Sequence, residues 1–201
     1  MKDGVRYPSV AMPAEPAYVP TMSPATPITA EEFLSVSIPG KRVELVRGVL
    51  LVREPAGLPH GRITLNLARR LADHAETNHL GQIYVGDTGF TLTRGPDTVR
   101  APDIAFIRHE RIPTPEPAGF PDMAPDLAVE VLSPGNRPGE VLGKIADWLS
   151  AGTRLVWVID RERRVARTYH LDGTEAVVSA DDALRGEDVL PGFVCSLSAI
   201  L

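Results

Sequence analysis

The sequence predicts an α/β fold of the α+β kind, with a central mixed β-sheet flanked by helices. Three observations carry that expectation. Leu155 to Ile159 is apolar throughout, as a central strand covered by helices must be. Pro102-Asp-Ile-Ala-Phe-Ile107 and Asp126-Leu-Ala-Val-Glu-Val-Leu-Ser-Pro134 are short apolar runs of the kind that form buried strands. Two helical patterns, His60 to Asn78 and Glu140 to Ser150, each present one apolar stripe to such a sheet.

The elements follow in order. Residues 1–28 hold six prolines with no apolar periodicity and read as a disordered arm preceding a single domain over 29–201. Thr29 caps a short helix, Ala30 to Val36, with Glu31 and Glu32 in its first turn. Val43 to Val52 reads as a hairpin turning at Arg47-Gly48. In the first long helix Ile63, Leu67, Leu71 and Ala75 make the stripe, and His60 falls on its axis at the N-terminus, pointing inward. Gly81 to Leu92 supplies a strand or two around Gly86, and Thr93 to Asp97 is a turn. Arg108 to Met123 contains four prolines and is expected as a surface loop. The second helix buries Val141, Leu142, Ile145, Trp148 and Leu149 and stops at Gly152. Arg164 to Tyr169 pairs across Asp172-Gly173 with Ala176 to Val178, and a turn and an apolar segment close the chain.

Composition narrows the function classes. A net charge of −5 over 201 residues gives no global basic field, so any polyanion site must be local. Cys195 is the one cysteine, so no intrachain disulfide forms and a reducing, cytoplasmic compartment is expected. No run reaches the ~18 apolar residues of a membrane span, and the N-terminus lacks a signal-peptide core.

Two acids break the apolar pattern. Asp103 and Glu130 stand in strands where a core would have none, and an ionised carboxylate there costs several kcal/mol unless compensated. By period-2 geometry Asp103 shares a face with Ala105 and Ile107, and Glu130 with Ala128 and Leu132. Neighbouring strands lie about 4.8 Å apart, so level acids could share one ion. Hard oxygen ligands favour Mg²⁺ or Mn²⁺. The competing reading places both acids at solvent-exposed strand ends. Glu44 is either a third acid near this site or a solvent-facing strand residue. His60 is either a capped core histidine or a participant. Lys144 borders the second helix's stripe beside Val141 and Trp148, where its stem can run along apolar surface to a polar pocket, or simply snorkel to water. Arg161, Arg163, Arg164 and Arg167 form the one dense basic cluster, a solvated hairpin or a phosphate contact.

In serial order, Val43-Glu-Leu-Val-Arg-Gly, His60-Gly-Arg-Ile, Pro102-Asp-Ile-Ala-Phe, Pro125-Asp-Leu-Ala-Val-Glu-Val-Leu-Ser-Pro, Lys144 with Trp148, Val156-Trp-Val-Ile-Asp160 and Leu190-Pro-Gly-Phe193 resemble the Uma-type restriction-endonuclease family. That family belongs to the PD-(D/E)XK nuclease superfamily. The resemblance covers residues 29–201 and implies a restriction-endonuclease-like core and a metal-dependent phosphodiesterase, most directly a DNA endonuclease. It implies Asp103 and Glu130 as metal-binding acids. The lysine that the superfamily pattern expects two residues after Glu130 is Leu132, and Lys144 is the candidate to replace it. DNA is the expected partner, with a homodimer as the expected assembly and no membrane. Two other classes stay open: a non-catalytic nuclease-fold protein that binds DNA or protein, and a hydrolase of smaller phosphoesters.

Overall fold

The computed structural model of the protein describes residues 26–201. Of the proline-rich arm expected over 1–28, residues 1–25 lie outside the described residues. The last part of it packs: the Ile28 N–H donates to the Gly48 carbonyl at 2.9 Å.

A six-stranded sheet forms the centre, comprising β3 (Gly81–Val85), β6 (Ile104–Arg108), β7 (Leu127–Val131), β8 (Leu155–Asp160), β9 (Val165–His170) and β10 (Glu175–Ser179). Its order is β10-β9-β8-β7-β6-β3, with β7 and β8 parallel and every other pair antiparallel. The sheet is therefore mixed, and the strands of Asp103 and Glu130 are direct neighbours, as expected. Ile104 pairs with Val129 and Ala105 with Ala128, a register that sets Asp103 level with Glu130.

Strand alternation gives this sheet two unlike faces. On one, Ile104, Phe106, Leu127, Val129, Leu155 and Trp157 pack against α2 (Leu58–Thr77) through Ile63, Leu67, Leu71 and Ala75. On the other, Ala105, Ile107, Ala128, Val156 and Val158 pack against Ile145 and Trp148 of α3 (Pro138–Ser150). The small side chains at 105 and 128 leave that second face room for polar groups.

A second sheet, order β2-β1-β5-β4, was not legible as a separate layer. It consists of β1 (Arg42–Val46), β2 (Val49–Arg53), β4 (Phe90–Thr93) and β5 (Thr98–Arg100). Its hairpin turns at Arg47 and Gly48, both at positive φ (49° and 76°), the backbone twist that suits two-residue hairpin loops. One side of this sheet packs Leu45 and Val99 on Ala30 and Phe33; α1 (Ala30–Phe33) is shorter than expected but carries the Thr29–Glu32 capping box.

Two further differences from the sequence reading are physical in origin. Leu142 is 58% exposed, because it lies off the side by which α3 packs on the sheet, formed by Val141, Ile145, Trp148 and Leu149. The closing segment, read as a turn and apolar residues, is a two-stranded ribbon, β11 (Ala183–Arg185) with β12 (Val194–Ser196), whose Leu184 and Cys195 complete the α2-side core.

Candidate active site

The site lies at the C-terminal end of β7, in a cleft of about 620 Å³. The β1–β2 hairpin forms one wall, and α3 with the Ser133–Asn136 loop forms the other. Asp103 and Glu130 form the floor and are 7% and 8% exposed, so both are buried rather than at solvent-exposed strand ends.

Each acid is held at both oxygens. Glu130 Oε1 accepts from the Trp148 indole N–H at 2.9 Å, and Oε2 accepts from Lys144 Nζ at 2.8 Å. Asp103 Oδ2 accepts from the Val131 N–H at 2.7 Å and lies 3.1 Å from His60 Nε2. Asp103 Oδ1 accepts from Arg42 Nη2 at 3.1 Å.

Lys144 is the hub. Its ammonium reaches Glu130, the Ala101 carbonyl at 2.9 Å and Glu44 Oε1 at 3.1 Å, three acceptors for three donors. The α3 helix delivers it there because residues 140, 144, 147 and 148 share one side of the helix. Glu140 pairs with Arg53 at 2.8 Å, and Asp147 pairs with Arg100 at 2.6 Å. Arg100 in turn holds Glu44 Oε2 at 3.1 Å, and the Ala101 N–H donates to Glu44 Oε1 at 3.0 Å.

The electrostatics separate the acids. Burial pushes the Glu130 carboxyl up; Lys144 pulls it back, Asp103 and Glu44 push it further, and the result is about 7. Burial also pushes Asp103 up, but His60, Lys144 and the Val131 N–H outweigh it and hold the carboxyl below the usual range. Glu44 is likewise held low: burial opposes ionisation, and Lys144 and Arg100 overcome it. Burial alone would favour a neutral Lys144, yet Glu130, Glu44 and Asp103 keep the amine charged, with its pKa above the ordinary value.

The structure thus brings Asp103, Glu130, Lys144, Glu44 and His60 together. Glu44 faces the site, not solvent, and His60 reaches Asp103 from the first turn of α2. Arg161, Arg163, Arg164 and Arg167 do not line the cleft; they occupy the β8–β9 turn and β9, where Arg163 pairs with Asp160 at 2.8 Å. Sequence reasoning missed Arg42, Arg100 and Asp147 as site residues, and it read Trp148 as core alone. A buried indole carries an N–H that needs an acceptor, and that is the one signal that could have tied Trp148 to a nearby acid.

Among the described residues no group of three or more His, Cys, Asp or Glu side chains is gathered as a ready metal cage. The donor set still suits Mg²⁺ or Mn²⁺, which are commonly bound through one or two carboxylates, water and substrate phosphate. Each ionised carboxylate offers about four lone-pair sites. Two protein donors occupy Glu130 and three occupy Asp103, so acceptor capacity remains on both.

Comparison with known proteins bears on this geometry. The family described as "Uma2: Putative restriction endonuclease" matches residues 30–198. A solved structure described as a "putative nuclease belonging to DUF820", from Anabaena variabilis ATCC 29413, superposes with a TM-score of 0.75 at 23% identity, covering 87% of this chain and 97% of that one. The shared fold is a mixed α/β nuclease-like fold. No curated protein matches the chain. Among the described residues no helix is long and apolar enough to cross a membrane. With the family match running across nearly all of the described residues, the chain belongs to the Uma2 restriction-endonuclease family.

Proposed function

We propose that this protein is a divalent-metal-dependent phosphodiesterase that cleaves DNA as an endonuclease in the cytoplasm. The observation that carries the reading is the Lys144 ammonium, 2.8 Å from Glu130 at the floor of the cleft. Leu132 fills the strand position two residues after Glu130 and packs in the α3-side core, so the cation arrives from the helix instead.

Asp103 and Glu130 are the residues that would hold Mg²⁺ or Mn²⁺. When bound, such an ion lowers the pKa of its water and offsets charge on phosphate. The chain's own groups do the rest. Trp148 and Lys144 fix the Glu130 carboxylate, and Val131, His60 and Arg42 fix Asp103, so neither acid must reorganise as charge develops. Lys144 supplies a permanent positive charge beside the acids. In the free protein one of its N–H groups rests on the neutral Ala101 carbonyl, an acceptor that a phosphate oxygen can replace. Glu44, itself balanced by Arg100, holds the amine in place from the hairpin wall.

The test is nicking of supercoiled plasmid with Mn²⁺, paired with calorimetric titration of the metal. Wild type is expected to bind Mn²⁺ and nick, while Glu130→Gln does neither. Wild type that binds Mn²⁺ but cuts no DNA would overturn the endonuclease assignment. The hydrolase of smaller phosphoesters would then stand in its place, whereas a wild type that binds no Mn²⁺ would favour the non-catalytic reading.

A further inference from the structure

The shape and charge of the cleft restrict what it can take, and the inference here rests on the endonuclease reading. Four cations line the cleft, and each is already engaged by a carboxylate. Arg42 holds Asp87 and Asp103, Arg53 holds Glu140, Arg100 holds Glu44 and Asp147, and Lys144 holds Glu130 and Glu44. Duplex DNA is gripped chiefly by free lysines and arginines that neutralise its phosphates, over about 1,000–2,500 Å² of protein surface. The lining itself holds no unpaired lysine or arginine; Arg137, exposed just past the Ser133–Asn136 loop, is a single cation beside it without an ion pair among the described residues. Its volume, about 620 Å³, is in the range of pockets that enclose small ligands. The Arg53–Glu140 pair also spans from the hairpin wall to the helix wall, so the mouth is crossed by side chains.

The walls between the charges are apolar. Val46 and Leu51 line the hairpin side, and Leu132 and Val141 line the opposite side. Apolar walls match the faces of unstacked bases and the sugar, which a duplex hides behind its two backbones; the contacts here are aliphatic, without the aromatic rings on which many single-strand binders stack bases. Gly143 adds to the fit. It stands in the middle of α3, where glycine costs about 1 kcal/mol of helix stability relative to alanine. It lines the cleft, and a Cβ there would meet no protein atom within 4 Å. Nothing in the fold requires a glycine at that point, whereas a strand lying against the helix backbone would.

We propose that the site takes an unpaired DNA strand, as single-stranded DNA, a flap or a frayed end, laid between the β1–β2 hairpin and α3 across Gly143. The experiment measures single-turnover cleavage with Mn²⁺, with cut positions mapped, on three oligonucleotides of one sequence: a single strand, a duplex with an unpaired flap, and a duplex closed at both ends by hairpin loops, of which only cuts within the paired stem are scored as cutting of the closed duplex. The single strand and the flap are expected to be cut at least 10-fold faster than the closed duplex. Gly143→Leu, whose Cβ meets no protein atom within 4 Å and which improves helix propensity, is expected to raise KM for the single strand at least 5-fold with its Mn²⁺ binding heat unchanged. A closed duplex cut as fast as the single strand, or a Gly143→Leu KM equal to wild type, overturns this inference and leaves the endonuclease reading standing. Failure to cut any of the three while Mn²⁺ binds overturns both.

Discussion

Two buried carboxylates stand at opposite ends of the same stretch of chain, and they are held very differently. Asp126, 1% exposed, enters β7; Glu130, 8% exposed, lies near its end. Asp126 is surrounded by cations and donors: Arg111 Nη1 lies 2.8 Å from Oδ1, and the Arg108 N–H donates to Oδ2 at 3.0 Å. Among the described residues no other carboxylate pairs with Arg108 or Arg111. Glu130 has one lysine, which it shares with Glu44, and it lies close enough to Asp103 and Glu44 for their charges to push it toward neutrality. Burial of an acid is therefore a poor marker of a site by itself. Crowding of several acids around too little positive charge is the better one, because it creates a demand that an ion can fill.

That contrast breaks or holds under mutation. Asp126→Ala removes the acceptor of the Arg108 N–H and the partner of the partly exposed Arg111, so it is expected to cost about 2 kcal/mol in urea denaturation, while DNA cleavage by the remaining folded protein stays near wild type. Glu130→Gln is expected to do the reverse, holding stability within about 1 kcal/mol because it relieves repulsion, and abolishing cleavage. Equal stability losses in the two variants would erase the distinction between the two ends of the strand.

Next in size is Lys144→Ala. Loss of one electrostatic stabiliser is expected to lower the rate of cleavage by about 10²-fold or more, with Mn²⁺ affinity nearly intact. Lys144→Arg is expected to recover little, since a planar fork does not reproduce a compact ammonium that meets three acceptors. A Lys144→Ala protein that cleaves at the wild-type rate would make the lysine purely structural.

The fold and the centre of the site were legible for one reason: they are written in local patterns. Period-2 alternation put Asp103 with Ala105 and Glu130 with Ala128, and the register then set the two acids level. Helical spacing put Lys144 on the border of the α3 stripe, and its amine lies 2.8 Å from Glu130. What was not legible came from long-range contacts that leave no local trace. Arg100 sits in a three-residue strand and meets Asp147, 47 residues away; Arg42 meets Asp103 across 61 residues. The second sheet that positions both is built from short strands whose pairing no periodicity announces. The basic cluster at 161–167 gave the strongest composition signal, yet it does not line the cleft, because clustering in sequence is no measure of distance to a site.

Metal linkage is a stability effect of similar size. An ion that binds only the folded state stabilises it by about 2.7 kcal/mol at 100 times its Kd, or roughly 5 °C or more in Tm for a domain of this size. Wild type is expected to show that rise with millimolar Mn²⁺ and Glu130→Gln to show none; an equal shift in both would place the ion elsewhere.

The smallest effect belongs to a surface pair. Burial would lower the pKa of His170, but its hydrogen bond to Glu187 at 2.9 Å and the Thr174 carbonyl outweigh this and raise it. A histidine whose folded pKa is raised adds stability that is fully present below its unfolded value, near 6.5, and is lost as pH rises through the folded value. Glu187→Gln is expected to lower the His170 titration midpoint seen by NMR and to flatten that part of the stability profile. An unchanged midpoint would mean that the pair does not persist in solution.

The clasp on Gly48 has a consequence for how the cleft can move. A two-residue hairpin turn is ordinarily a free tip, open to proton exchange and tolerant of inserted residues. Here the Gly48 N–H donates to the Asp97 carbonyl at 2.8 Å and its own carbonyl accepts from Ile28, while a Cβ at Gly48 would lie 2.3 Å from the Pro27 Cβ. The hairpin wall is thereby moored at its far end as well as at its root. Opening of the cleft is left to α3 and the Ser133–Asn136 loop, and the amide of Gly48, though it sits in a turn, belongs with the slowly exchanging interior of the molecule.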